Sequence, residues 1–231
     1  MLIEAINIRK SYRDRRGETV SVLKDLSLQI ARGEFVSLSG PSGCGKSTLL
    51  NVLGCLDHPD AGAYQFDGND VLGWPERQRA DLRNRRIGFI FQGFHLLPFL
   101  TVEGNIKLPH LYSRSPRSDS TNVEELLREV DLAGMARRYP GELSGGQQQR
   151  VAIARALALK ADLILADEPT GNLDGDSAQS ILDVFGRLVG QGKTVLLVTH
   201  DPAVARRASR HIRLEEGRIA SETTPAKGAT V

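Results

Sequence analysis

One short segment limits what this chain can fold into more than any other. Gly40-Pro41-Ser42-Gly43-Cys44-Gly45-Lys46-Ser47 fits the spacing G-x-x-x-x-G-K-[ST] in full. Glu34 to Ser39, just before it, reads as a short buried strand, and the residues from Lys46 to about Leu56 read as an apolar helix. A strand that turns through glycines into a helix makes a cradle for phosphate. The glycines let successive N–H groups point inward without Cβ clashes, and the helix aims the positive end of its dipole at the same anion. In such a cradle Lys46 supplies a point charge to β- and γ-phosphates and Ser47 can ligate Mg²⁺. A dinucleotide cradle needs G-x-G-x-x-G, a spacing this stretch lacks.

The rest of the chain supplies the sheet that such a loop requires. Leu163-Ile164-Leu165-Ala166 and Thr194 to Thr199 are short apolar runs, as expected of parallel strands covered on both faces. Helical patterns lie between and around them, from Gln147 to Lys160 and from Ser177 to Val189. The N-terminal segment differs. Leu2 to Ile8 and Val20 to Ile30 alternate apolar and polar residues around the charged patch Arg13 to Gly17, which predicts antiparallel strands joined by a turn. In the middle, Thr121 stands three positions before Glu124 as a predicted capping box. Val123, Leu126, Leu127 and Val130 then share one helical face. Ser113 to Ser118 reads as a polar loop, and Ser221 to Val231 as a frayed tail.

Composition excludes several classes. The chain has 231 residues, 40% hydrophobic and 25% charged, with a net charge of +2. That fits one large globular domain and gives no whole-chain case for nucleic acid or an anionic membrane surface. The two cysteines, Cys44 and Cys55, cannot build a disulfide framework or a metal cluster. The N-terminus lacks the pattern of a secretory signal, and no apolar run approaches a membrane span. If the protein works at a membrane, another chain is expected to hold it there.

Three further groups carry chemistry. Asp167 and Glu168 directly follow an apolar strand. In a parallel sheet such carboxylates point into the ligand crevice, where Asp167 is placed to hold Mg²⁺ and Glu168 to polarise an attacking water. His200 ends the next core strand. Alone it would read as structural; beside the phosphate loop it is a candidate donor to a γ-phosphate. Leu143-Ser144-Gly145-Gly146-Gln147 opens a second helix, with Ser144 as candidate N-cap and two glycines that permit close approach. An ordinary capped helix and an anion-binding helix end supplied to a second copy both remain open on these residues alone.

Together these motifs resemble the ATP-binding cassette (ABC) ATPases over nearly the whole chain. The resemblance implies an α/β fold, with a P-loop NTPase (RecA-like) parallel sheet core, an N-terminal antiparallel β subdomain and an inserted α-helical subdomain. It divides a single domain into residues 1–92 and 151–220 as core with β subdomain, about 93–150 as helical subdomain with the signature, and 221–231 as tail. It implies that Tyr12 stacks on adenine and that Gly40, Pro41, Ser42, Gly43, Cys44, Gly45, Lys46, Ser47 and Thr48 bind the nucleotide. Glu168, His200, Lys46 and Gln92 become the catalytic set, and Ser47, Gln92 and Asp167 the metal set. Ser144, Gly145, Gly146 and Gln147 become the signature that closes over a second copy's ATP, with Asp174 at the dimer interface. The implied cofactors are ATP and Mg²⁺. The implied partners are a second copy of the chain, head to tail around two Mg·ATP, and separate integral membrane permease subunits, with no nucleic acid. The implied location is the cytoplasmic face of the inner or plasma membrane.

Phe89-Ile90-Phe91-Gln92, His95-Leu96-Leu97-Pro98 and Pro169 to Asp174 are similar to the lipoprotein-releasing and macrolide-export group. The cell-division ATPases share much of this wording, so an ATPase that drives a membrane regulator of cell-wall enzymes is the alternative. Gly93-Phe94 and Glu103-Gly104-Asn105 depart from the commoner pattern in the region expected to face the partner. His58, His110 and His211 read as surface or packing residues, and Trp74 as a packing anchor. His95 is open between a partner contact and plain loop structure. Arg77, Arg79, Arg83, Arg85 and Arg86 read as a solvated helix face.

Overall fold

The computed structural model describes residues 1–113 and 121–224. The chain begins with β1 (Ile3–Arg13) and β2 (Thr19–Ile30), paired antiparallel as their alternation predicts. In β1 the inward residues are Ile3, Ala5 and then Ile8, a step of three. Asn7, at φ +52°, takes up the extra residue, and the register with β2 shifts there. Next come β3 (Phe35–Ser39) and the helix α1 (Lys46–Leu53), with the phosphate loop between them. The short strands β4 (Ala61–Phe66) and β5 (Asn69–Asp70) complete an antiparallel sheet of order β2-β1-β4-β5.

After α2 (Glu76–Arg86) and β6 (Ile87–Phe91), the described residues form the α-helices α3 (Val102–Leu111), α4 (Val123–Glu129) and α5 (Gly145–Leu157). Then come β7 (Leu163–Asp167), α6 (Gly175–Gly190), β8 (Thr194–Val198), α7 (Pro202–Ala205), β9 (Arg210–Glu215) and β10 (Arg218–Thr223). The second sheet has the order β10-β9-β3-β8-β7-β6. All its pairings are parallel except the edge pair β9–β10.

That sheet separates two hydrophobic clusters. Val36, Leu38, Leu163, Leu165, Leu196 and Val198 pack on one face with α1 and the antiparallel sheet. Phe35, Ile164, Ala166, Val195 and Leu197 pack on the other with α5 and α6. Alternate residues of one strand thus serve two cores, which is why the strands read as unbroken apolar runs.

Three expectations are corrected. The N-cap of α4 is Asn122, which accepts from the Glu125 N–H at 3.2 Å, and not Thr121. The Thr121 hydroxyl instead donates to the Ala158 carbonyl at 2.9 Å, a tertiary bond that outcompetes the local cap. The tail does not begin at Ser221, because Ser221, Glu222 and Thr223 pair with Arg213, Ile212 and His211 in β10. The polar loop and the last residues otherwise fall outside the described residues. The arginine run forms α2 as read, but not as a solvated face: Arg79 is 9% exposed and binds His58 and Glu76, Arg83 holds the Cys55 carbonyl, and Arg86 pairs with Asp67 and Asp162. Trp74 packs against the first cluster as expected.

Candidate active site

The phosphate loop is shaped by contacts that tolerate no side chain. Gly40 has φ +153°, and a Cβ there would stand 2.1 Å from the Leu214 carbonyl oxygen. The N-cap of α1 is Gly45, whose lone hydrogen cannot cap, so the first N–H groups of the helix are free for an anion. The Lys46 ammonium donates to the Gly40 and Pro41 carbonyls, at 2.8 Å each, and so lies folded over the loop. Cys44 is buried and serves as backbone and packing.

β7 and β8 deliver the acidic pair and the histidine. The Ser47 hydroxyl donates to Asp167 Oδ2 at 2.9 Å, joining the start of α1 to the end of β7. Glu168, one residue on, has φ +48°, a left-handed conformation costing a non-glycine residue about 1–2 kcal/mol. Its N–H bonds to the Val198 carbonyl, which holds the turn. Glu168 Oε1 lies 2.9 Å from His200 Nδ1, with the carboxylate largely sheltered and the imidazole exposed. His200 therefore orients the candidate base from the solvent side.

Gln92 follows β6 and is exposed. Its side chain donates to Asn172 Oδ1, and Asn172 donates back to the Gln92 carbonyl, both at 3.3 Å. This reciprocal pair ties the loop after β6 to the loop after β7. Asp174 caps α6 by accepting from the Ser177 N–H and hydroxyl at 2.8 Å each, and these bonds hold its carboxyl below the usual range.

A cleft of about 600 Å³ gathers part of this set and leaves His200 and Asp174 outside its lining. It is lined by Tyr12, Ser42, Gly43, Gly45, Lys46, Ser47, Thr48, Gln92, Asp167 and Glu168. That volume is in the range of a small-molecule site. Sequence reasoning missed Val22, Phe91 and Gly93 on its wall. It left His95 undecided; the structure puts His95 on the same wall, with its ring 5.3 Å from that of Phe91.

The cleft lining does not include Ser144. Ser144 is exposed at the start of α5, in a reciprocal capping box with Gln147. The two glycines beside it differ. Gly146 is buried, and a Cβ there would meet Ser177 Oγ at 2.8 Å and Ser177 Cβ at 2.9 Å. Its smallness serves packing of α5 on α6 within the chain, which corrects the expectation that both glycines make room for another molecule. A Cβ on Gly145 would make only ordinary contacts with Leu173 and Phe94, at 3.4 and 3.5 Å.

Residues 23–171 match the family model described as ABC transporter. The chain belongs to the ABC transporter family. The ABC transporter ATP-binding protein YknY of Bacillus subtilis is 47% identical over 94% of this chain and 95% of its own length. The macrolide export ATP-binding/permease protein MacB of Syntrophobacter fumaroxidans is 49% identical over 96% of this chain. The pyoverdine export ATP-binding/permease protein PvdT of Pseudomonas aeruginosa is 46% identical over 96% of it. The chain spans about a third of the length of MacB and PvdT, 32% and 34%. Among solved structures, the dimeric ABC transporter cassette MJ0796 superposes with a TM-score of 0.85 at 41% identity, covering 96% of this chain and 98% of that one. A dimeric post-hydrolysis state of the same cassette, bound to ADP and Pi, matches equally well at 40% identity. No helix among the described residues is long and apolar enough to cross a membrane.

Proposed function

We propose that this chain is the ATP-binding and ATP-hydrolysing subunit of an ABC transporter of the export or lipoprotein-release type. Two copies close head to tail around two nucleotides and drive a membrane permease from the cytoplasmic face of the membrane. One observation carries the reading. The phosphate loop, Asp167 and Glu168 share one cleft, while Ser144 stands exposed at a helix end outside it. A site whose signature serine lies elsewhere is completed by a second copy.

In this reading Tyr12 faces the nucleobase and Gly40 to Thr48 wrap the phosphates. Lys46 swings from its loop carbonyls to the β- and γ-phosphates. Ser47 and Asp167 offer a hydroxyl and a carboxylate already in contact, an all-oxygen pair suited to Mg²⁺. Bound there with Gln92 nearby, Mg²⁺ would neutralise charge on the phosphate oxygens. Glu168 takes a proton from the attacking water, and His200 fixes its carboxylate. The helical segment that begins near residue 93 carries the signature, and α5 (Gly145–Leu157), whose start holds it, runs on without a break past residue 150 into the core. ATP shifts the pair toward closure to the extent that Ser144, Gly145 and Gln147 bind it only in the closed state.

Glu168→Gln tests the reading. It is expected to keep ATP affinity, slow hydrolysis by about 10²–10⁴-fold, and accumulate a dimer on size-exclusion with Mg·ATP. Hydrolysis at the wild-type rate would remove Glu168 from the mechanism.

A further inference from the structure

We propose that Lys10 and Asp57 are positioning residues that build, with Tyr12, a preorganised platform for the nucleobase. The inference rests on the reading of Tyr12 as the base contact and deepens it. The Tyr12 hydroxyl donates to Asp57 Oδ2 at 2.6 Å. The Lys10 ammonium donates to Asp57 Oδ1 at 2.7 Å and to the His58 carbonyl at 2.6 Å. It also lies 5.1 Å from the centroid of the Tyr12 ring. One carboxylate thus receives both the phenol and the ammonium, and the ammonium sits against the ring.

The local backbone makes this arrangement. Lys10 and Tyr12 stand two apart on β1, and register shifts flank Lys10 in the β1–β2 pairing. Such irregularities re-aim side chains, and Lys10 ends 9% exposed. Asp57 comes from the turn that leaves α1, whose N-terminal turn lines the cleft. A single helix therefore ties the phosphate end of the cleft to the anchor of its aromatic wall.

The chemistry explains why a lysine belongs there. A ring face carries excess π density, which repels the π face of a purine. An ammonium over the ring draws that density toward itself, which makes the ring better suited to stacking on a purine. The hydroxyl anchor removes ring rotamers that binding would otherwise have to freeze. Burial pushes the Asp57 carboxyl up, but hydrogen bonds from Lys10, Tyr12 and the His58 N–H outweigh it and keep the carboxylate ionised.

The test compares ATP with inorganic tripolyphosphate, which has no base, as ligands of the full chain. Lys10→Met and Asp57→Ala are expected to weaken ATP binding about fivefold each. Tripolyphosphate affinity and the rate at saturating ATP are expected to hold. Tyr12→Phe, which removes only the hydroxyl, is expected to weaken ATP about threefold, and is read if either of the others fails to fold. Asp57→Ala added to Tyr12→Ala is expected to cost no further affinity. Lower thermal stability with unchanged ATP affinity would reduce the pair to a staple, and equal loss for tripolyphosphate would place its action at the phosphate loop. Both results overturn the inference while leaving Tyr12 in place. Unchanged ATP binding in Tyr12→Ala would instead overturn the base reading itself.

Discussion

Gly146→Ala puts a methyl group where α5 presses on α6. Its Cβ would stand 2.8 Å from Ser177 Oγ and 2.9 Å from Ser177 Cβ, both inside van der Waals contact. The serine cannot simply rotate away, because its hydroxyl is held by Asp174 at 2.8 Å. Overpacking of this kind costs about 1–3 kcal/mol, offset by up to about 1 kcal/mol from replacing a helical glycine with alanine. The net loss of up to about 2 kcal/mol lowers the melting temperature by up to roughly 8 °C for a chain of this size. The structure also says what restores it. Ser177→Ala removes only the Oγ contact and leaves the Cβ clash. Ser177→Gly removes both, and the nearest remaining atom of residue 177 is its Cα at 3.8 Å. Thermal melts of the singles and doubles are expected to give a favourable coupling of about 1 kcal/mol or more for the glycine double, and clearly less for the alanine double. A Gly146→Ala protein that melts at or above the wild type, or equal rescue by Ser177→Ala, would refute the packing argument.

On the proposed reading, Lys46→Ala removes a charged donor to the β- and γ-phosphates. It is expected to weaken ATP about 10- to 100-fold by calorimetry with little change in melting temperature. His211 lies between Ser37 Oγ at 2.9 Å and Ser39 Oγ at 3.1 Å. Burial first, and the charge of Arg213 second, hold its pKa below the ordinary histidine value. The unfolded chain therefore binds this proton more readily than the folded one, so stability falls as pH drops below about 6.5 toward the folded pKa. His211→Asn is expected to flatten the melting profile between about pH 7 and 5. An unchanged slope would show that other groups carry it.

What was legible in the sequence follows from how local its cause is. The phosphate loop reads directly because each of its residue types answers a local demand: glycine at φ +153°, a helix start, a single ammonium. β7 and β8 read as apolar runs because both their faces are buried. β4 did not read at all: in Ala-Gly-Ala-Tyr-Gln-Phe only Tyr64 and Phe66 are buried, and the strand exists through its pairing with the distant β1. Arg79 reads as helical from its neighbours, but its burial depends on His58, 21 positions away. Asp57 lies 45 positions from the tyrosine it anchors, and nothing in its own segment marks that role. Thr121 misled because its carbonyl partner, Ala158, belongs to another element.

The central claim is that each ATP is held by the phosphate loop of one copy and the signature of the other. Mixing two inactive variants tests it most directly. Ser144→Arg disables the signature that a chain lends, and Lys46→Ala disables the loop that a chain keeps. In a mixed head-to-tail pair both lesions fall in one site, and the other site has an intact loop and an intact signature. The account expects hydrolysis to appear on mixing, rising with the fraction of mixed pairs. A mixture that stays as inactive as its separate components would mean that loop and signature act within one chain.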